Sequence, residues 1–88
     1  MSSDISEPPF PKIEIFPNPF SNQLIFTNLP SAFAEISIFD LTRKLIFKTE
    51  KPPGQSEIAI FTEEFQKGIF FVFIKTENNL FQKKTIKI

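Results

Sequence analysis

Few side chains in this protein are equipped for chemistry. The chain has no His and no Cys, which removes Ser–His and Cys–His nucleophile pairs, His/Cys metal sites and haem ligation. Two glycines in all cannot build a phosphate-cradling loop. Glu63-Glu64 is the only adjacent acidic pair. Strand neighbours point to opposite faces, so such a pair cannot flank one substrate bond as glycosidase carboxylates do, and a solvated loop or helix start suits it better. Asp40, with Thr42 two residues on, raises the question of calcium, but that ion takes about six to eight oxygens. The simpler use of Asp40 is to accept from the N–H groups of its own turn. Lys83, Lys84 and Lys87 read as the lysines of a solvated edge strand guarded against aggregation. Without Trp or Tyr, polar-tipped stacking platforms for sugars are missing. These residues predict a non-enzymatic protein with no catalytic, cofactor or metal site.

Eighty-eight residues allow one domain. The formal net charge is zero, which gives no electrostatic reason to expect nucleic acid or an anionic membrane as partner. No apolar run approaches the roughly 20 residues of a transmembrane helix. Thirteen Phe form the whole aromatic complement, and eight Pro accompany two Gly, so the turns must rely on Pro, Asn, Asp and Ser. Residues 1–11 are polar and proline-rich and read as a linker. They lack the basic start and apolar stretch of a secretory signal peptide, so an exported form of this module would belong to a longer precursor. Residues 12–88 are the expected domain.

That domain reads as short strands separated by turn signals. Expected strands are Lys12–Phe16, Gln23–Thr27, Ala34–Phe39, Lys44–Thr49, Ser56–Phe61, Ile69–Thr76 and Leu80–Ile88. Pro17 and Pro19 end the first, since neither can donate to a ladder. Asp40-Leu41-Thr42-Arg43 turns a hairpin, and Glu50–Gln55 is a loop. Thr62–Lys67 is expected to hold one helical turn, with Thr62 as N-cap and Gly68 ending it. Glu77-Asn78-Asn79 is expected to form a tight turn of a C-terminal hairpin, since Asn tolerates positive φ. Seven strands and no long helix predict an all-β, small antiparallel β-sandwich of immunoglobulin-like type. In Ile69–Ile74 both faces are apolar, with Phe70, Val72 and Ile74 on one and Ile69, Phe71 and Phe73 on the other. Either loop residues such as Phe20, Phe33 or Phe65 cover the second face, or it is an exposed patch used for docking.

Four segments in order carry a resemblance: Ile15–Phe20 (IFPNPF), Ser37–Lys44 (SIFDLTRK), Lys67–Ile74 (KGIFFVFI) and Gln82–Ile88 (QKKTIKI). They resemble the C-terminal sorting domain of type IX secretion, the Por secretion system, type A. That family typically shows a Y-P-N-P turn, a Y-D-L-x-G-[KR] hairpin, a K-G-[IV]-Y-[FL]-V strand and a K-K-[IV]-[IV]-K ending. The matching positions include Pro17, Asn18, Pro19, Phe20, Asp40, Leu41, Lys44, Gly68, Phe70 and Val72. Phe16, Phe39 and Phe70 stand where the family has Tyr, Arg43 where it has Gly, and Phe73 where it is usually polar. A side chain at Arg43 predicts strain if the turn needs positive φ. The resemblance implies a sorting signal that directs an upstream cargo domain of the same precursor through the type IX outer-membrane translocon. A surface sortase would then usually cleave within Ser2–Lys12. It implies passage through the periplasm and a final place at the cell surface or outside the cell. The docking segment is expected to be Lys83, Lys84, Thr85, Ile86, Lys87 and Ile88, on a strand at a sheet edge that can accept a partner strand. The alternative is a generic immunoglobulin-like or fibronectin-like adhesion or spacer module.

Overall fold

The computed structural model describes residues 13–88. The expected linker, and Lys12 of the first expected strand, lie outside the described residues. Seven strands follow in order: β1 (Glu14–Phe16), β2 (Gln23–Thr27), β3 (Ala34–Asp40), β4 (Leu45–Lys51), β5 (Ile58–Phe61), β6 (Gly68–Lys75) and β7 (Leu80–Lys87). They form a three-stranded sheet, β1-β2-β5, and a four-stranded sheet, β4-β3-β6-β7. All pairings between these strands are antiparallel. The chain crosses between sheets after β2, β4 and β5, which gives the immunoglobulin-like sandwich that the strand count predicts.

Alternation builds the core. β3 turns Ala34, Ile36 and Ile38 inward, and β6 turns Phe70, Val72 and Ile74 inward. The cross-strand partners Ile36↔Ile74 and Ile38↔Val72 therefore stack on one face. From the other sheet come Ile15, Leu24, Phe26 and Ile60. Each fully buried side chain of this kind contributes about 1.5–3 kcal/mol. Phe20, fully buried, meets Phe70 at a ring-centroid distance of 6.0 Å and Phe65 at 6.5 Å, and Phe65 meets Phe70 at 5.4 Å.

Those ring contacts correct the expected cover for the second face of β6. Phe20 and Phe65 pack on the first face, beside Phe70. Phe33 is exposed and lines a different depression, with Ala32, Glu35, Lys75, Thr76 and Glu77. Ile69, Phe71 and Phe73 stay half-buried on the outside.

The expected helical turn after Thr62 is absent. Phe65 N–H donates to Thr62 O at 3.0 Å, closing a single turn, and the Thr62 hydroxyl donates to Ser21 O at 3.0 Å rather than capping a helix. Phe65 is drawn into the core and ends the turn after one bond. Gly68, at φ 139°, opens β6 instead of closing a helix. The turn before β7 also differs in its device. Asn79 has no positive φ; its N–H donates to the Thr76 hydroxyl at 3.1 Å, and Thr76 N–H donates to Asn79 O at 2.9 Å. β4 runs on through Glu50 and Lys51, which the sequence places in the loop. The Lys51 side chain is buried, its Nζ donates to Pro52 O at 2.8 Å, and burial pushes its pKa below the ordinary 10.5.

Candidate functional site

β7 is an edge strand, and it faces β1 across the mouth of the sandwich. The route from β1 to that edge runs through Pro17-Asn18-Pro19. Both X–Pro bonds, Phe16–Pro17 and Asn18–Pro19, are cis. Beyond them Phe20 leaves the three-stranded sheet and forms a parallel bridge with Lys87. Phe20 N–H donates to Ile86 O at 2.8 Å, and Ile88 N–H donates to Phe20 O at 2.9 Å. Asn18 adds its side chain: its Oδ1 accepts from Ile86 N–H at 3.2 Å. The proline turn therefore holds the end of the tail with Asn18 and Phe20, and it places the Phe20 ring in the core.

The two faces of β7 have different work. Phe81, Lys83, Thr85 and Lys87 lie toward the sandwich interior, and Leu80, Gln82, Lys84 and Ile86 lie outside, by the register Ile74↔Phe81, Val72↔Lys83, Phe70↔Thr85 and Gly68↔Lys87. Lys87 is 8% exposed. Its ammonium donates to Thr62 O at 2.6 Å, Ser21 O at 2.7 Å and Glu63 O at 3.4 Å. It ties together the loop before β2, the turn after β5 and the C-terminal strand. Thr85 is fully buried, and its hydroxyl oxygen has no hydrogen-bond partner among the described residues. Lys83 is half-buried and lines an opening with Ile13, Glu14, Ile15 and Phe16, between the β1 and β7 edges. Lys84 is exposed, as are Ile86 at 42% and Ile88 at 63%.

Backbone parity identifies the open part of this edge. Ile86 directs its N–H and C=O away from β6, toward Asn18 and Phe20. Residues of the same parity do likewise in an antiparallel pair, so Gln82 and Lys84 present their backbone groups to the outside. Among the described residues no strand pairs with β7 on that side beyond the Phe20 bridge.

The Asp40 hairpin is a self-contained turn. Asp40 Oδ1 accepts from Thr42 N–H at 2.8 Å, the Thr42 hydroxyl at 2.6 Å and Lys44 N–H at 3.0 Å. The Thr42 hydroxyl first, then the Lys44 and Thr42 N–H groups and the Lys44 charge, hold the carboxyl below its ordinary 3.8. Arg43 N–H donates to Asp40 O, and Arg43 itself sits at φ 72°, the left-handed position that follows such a turn in hairpins and favours glycine. Leu41 is 62% exposed at the tip. Of the family-motif positions, Phe20, Phe70 and Val72 are core, Asp40 and Gly68 set backbone geometry, and Pro17, Asn18 and Pro19 carry the chain to the tail.

The outer face of the four-stranded sheet carries an open groove of about 490 Å³ lined by Phe39, Arg43, Phe71, Phe73 and Gln82. Phe39 and Phe73 meet edge to face at 5.5 Å. Sequence reasoning left this face undecided. It missed the inward, latched role of Lys87 because the strand's amphipathicity is inverted: Leu80, Ile86 and Ile88 face out while Lys87 faces in. The one signal available was the two-residue spacing that places Thr85 and Lys87 on the face of Phe81.

Taken together, the small β-sandwich displays an edge strand and an apolar outer face. The family model for the secretion system C-terminal sorting domain, the Por secretion tail, matches residues 14–88, and the chain belongs to that family. It is thus a type IX secretion sorting domain, a signal that works with the type IX machinery and marks a protein for the cell surface or the extracellular space. Domains of this family are non-enzymatic in general. A search for curated relatives gave no match.

Proposed function

We propose that residues 12–88 are the sorting signal of a longer precursor, carried behind residues 1–11 as a linker to an upstream cargo domain. The folded module passes through the periplasm, docks on the type IX outer-membrane translocon and is then removed by a surface sortase within Ser2–Lys12. Docking runs through the Lys83–Ile88 segment. What supports this reading is the division of β7 into an inward face committed to the fold and an outward face that presents the side chains of Lys84, Ile86 and Ile88; the open backbone of the edge lies at Gln82 and Lys84, since that of Ile86 and Ile88 is taken by Asn18 and Phe20. An edge strand of this kind binds by main-chain pairing, with side-chain contacts selecting the partner.

The test is export of a reporter fused upstream of the chain, in a host that has type IX secretion. Deleting Lys83–Ile88 abolishes export, but the deletion also removes the Lys87 latch. The decisive variant is therefore Ile86→Asn with Ile88→Asn, which leaves Lys87 and the Phe20 bridge in place. Loss of export with an unchanged thermal melt supports docking through the tail. Normal export of that variant rejects the tail as the docking segment, and failure of the unmodified fusion to leave the cell rejects the sorting role itself.

A further inference from the structure

The outer face of the four-stranded sheet is organised for a partner of definite chemistry. The register sets its side chains in rows. Phe39, Phe71 and Lys84 form one row, Ser37, Phe73 and Gln82 the next, and Ile69 and Ile86 flank them. The result is a contiguous aromatic floor at the centre of a sheet face that is half-exposed. Large apolar patches of this sort mark interaction sites on soluble proteins.

Two observations say what covers it. The first is charge. Arg43 stands at the rim of the aromatic groove and Lys84 beside Phe71. Among the described residues the one ion pair is Lys48–Glu35, at 3.2 Å, and neither Arg43 nor Lys84 is ion-paired with any of them. The three-stranded sheet is the opposite case. Its strands carry Glu14 and no basic residue, and its outer face shows Phe61, 78% exposed. The second is backbone conformation. Arg43 occupies a left-handed position, φ 72°, where an L side chain is sterically strained and glycine would not be. Strain of this kind points to a role for the side chain that bears it.

We propose that this face docks a protein segment of the export machinery with apolar anchors flanked by Asp or Glu side chains. The anchors settle on Phe39, Phe71 and Phe73, and the acidic groups meet Arg43 and Lys84. The inference rests on the sorting reading. The surface is continuous with the open edge of β7 through Gln82 and Lys84, so one segment can engage both.

The test uses the same reporter fusion with the full chain, measuring the exported fraction. Arg43→Glu together with Lys84→Glu lowers export roughly tenfold or more, because like charges then face each other across the contact. The thermal melt of that variant stays near wild type, since both changes lie at solvent-facing positions and Arg43→Glu keeps a side chain at the same φ. Arg43→Lys with Lys84→Arg retains export, and Phe61→Ser, on the opposite sheet, leaves it unchanged. Undiminished export of the double charge reversal overturns the proposal while the sorting reading stands. An equal loss with Phe61→Ser also overturns it, by removing the preference for this face. Should the unmodified fusion not be exported, the sorting reading falls and this inference falls with it.

Discussion

Replacing Lys87 by Met separates the fold from the signal in a single residue. Met keeps the length and apolar stem of the side chain and removes the ammonium. Two short charge-assisted bonds disappear, to Thr62 O at 2.6 Å and to Ser21 O at 2.7 Å. Hydrogen bonds to charged groups contribute about 1.5–3 kcal/mol each. Against that loss, the ammonium no longer has to be stripped of water to reach a position that is 8% exposed. The Ser21 and Thr62 carbonyls each lose one donor and keep another, the Thr62 hydroxyl and the Phe65 N–H, and the lost bond to Thr62 O is fully buried. The expected net change is a loss of about 2–4 kcal/mol. In a domain of this size each kcal/mol moves Tm by about 4–8 °C, so the melt should fall by roughly 8–32 °C. The matched comparison is Lys84→Met, on the outward side of the same strand, which should change stability by less than about 0.5 kcal/mol. Hydrogen exchange adds a local readout. The Phe20 and Ile88 amides, which bridge the tail to the proline turn, should lose protection first in the Lys87 variant. Equal melts for Lys87→Met and Lys84→Met would refute the reasoning, and would mean that the three carbonyls around Lys87 are served equally well by water.

Two further outcomes follow from the core and the hairpin. Phe70→Ala removes the ring that sits between Phe20 and Phe65, and should cost about 3–5 kcal/mol of stability in chemical denaturation; a midpoint unchanged from wild type would contradict its place in the core. Asp40 has its folded pKa held below 3.8, so its turn contributes stability that is fully present above the unfolded value and is lost as pH falls through the folded one. Asp40→Asn should accordingly melt below wild type near neutral pH, with the gap closing as pH drops beneath about 4. A gap independent of pH would assign the effect to shape rather than to charge.

How much of this was legible in the sequence depends on whether a residue's role is local. The strands follow from alternation, and Gln23–Thr27 agrees to the residue with β2. The Asp40 turn was legible because a carboxylate and its N–H donors lie within four residues. The positive φ at Arg43 was expected only through the resemblance, which has glycine at that position. Roles set by distant partners were not legible. Thr62 looks like an N-cap beside Glu63 and Glu64, but its hydroxyl is taken by Ser21, far away in sequence. Phe65 and Phe20 looked available to cover the outside of β6, and both are held in the core by contacts across the two sheets. At the candidate site the sequence indicated the edge strand. It could not say which lysine faces in, because Lys83, Lys84 and Lys87 are identical in type and differ only in what the fold brings to each.

That difference bears on how a sorting domain can tolerate a changing surface. A tail that must be recognised is under two constraints, to stay folded and to stay readable, and in one strand these conflict unless they fall on separate faces. Here alternation separates them. Thr85 and Lys87 face inward, where Lys87 is bound to carbonyls of two other segments, and Lys84, Ile86 and Ile88 face outward with no structural duty for their side chains among the described residues. The polar residue is the one buried and the aliphatic ones are exposed, which a strand selected only for stability would reverse. Exposed Ile86 and Ile88 are unfavourable in water, and so are the half-exposed rings of Phe71 and Phe73. Both sets lie on the same outer surface, continuous through the row that joins Phe71 to Lys84. An arrangement that leaves apolar side chains unburied on one face, and holds a cation in a strained turn at its rim, is unfavourable for the isolated domain. On the docking proposed above, the stability forgone on this face is recovered on binding, and the outer surface of the four-stranded sheet acts with the edge beside it as one element.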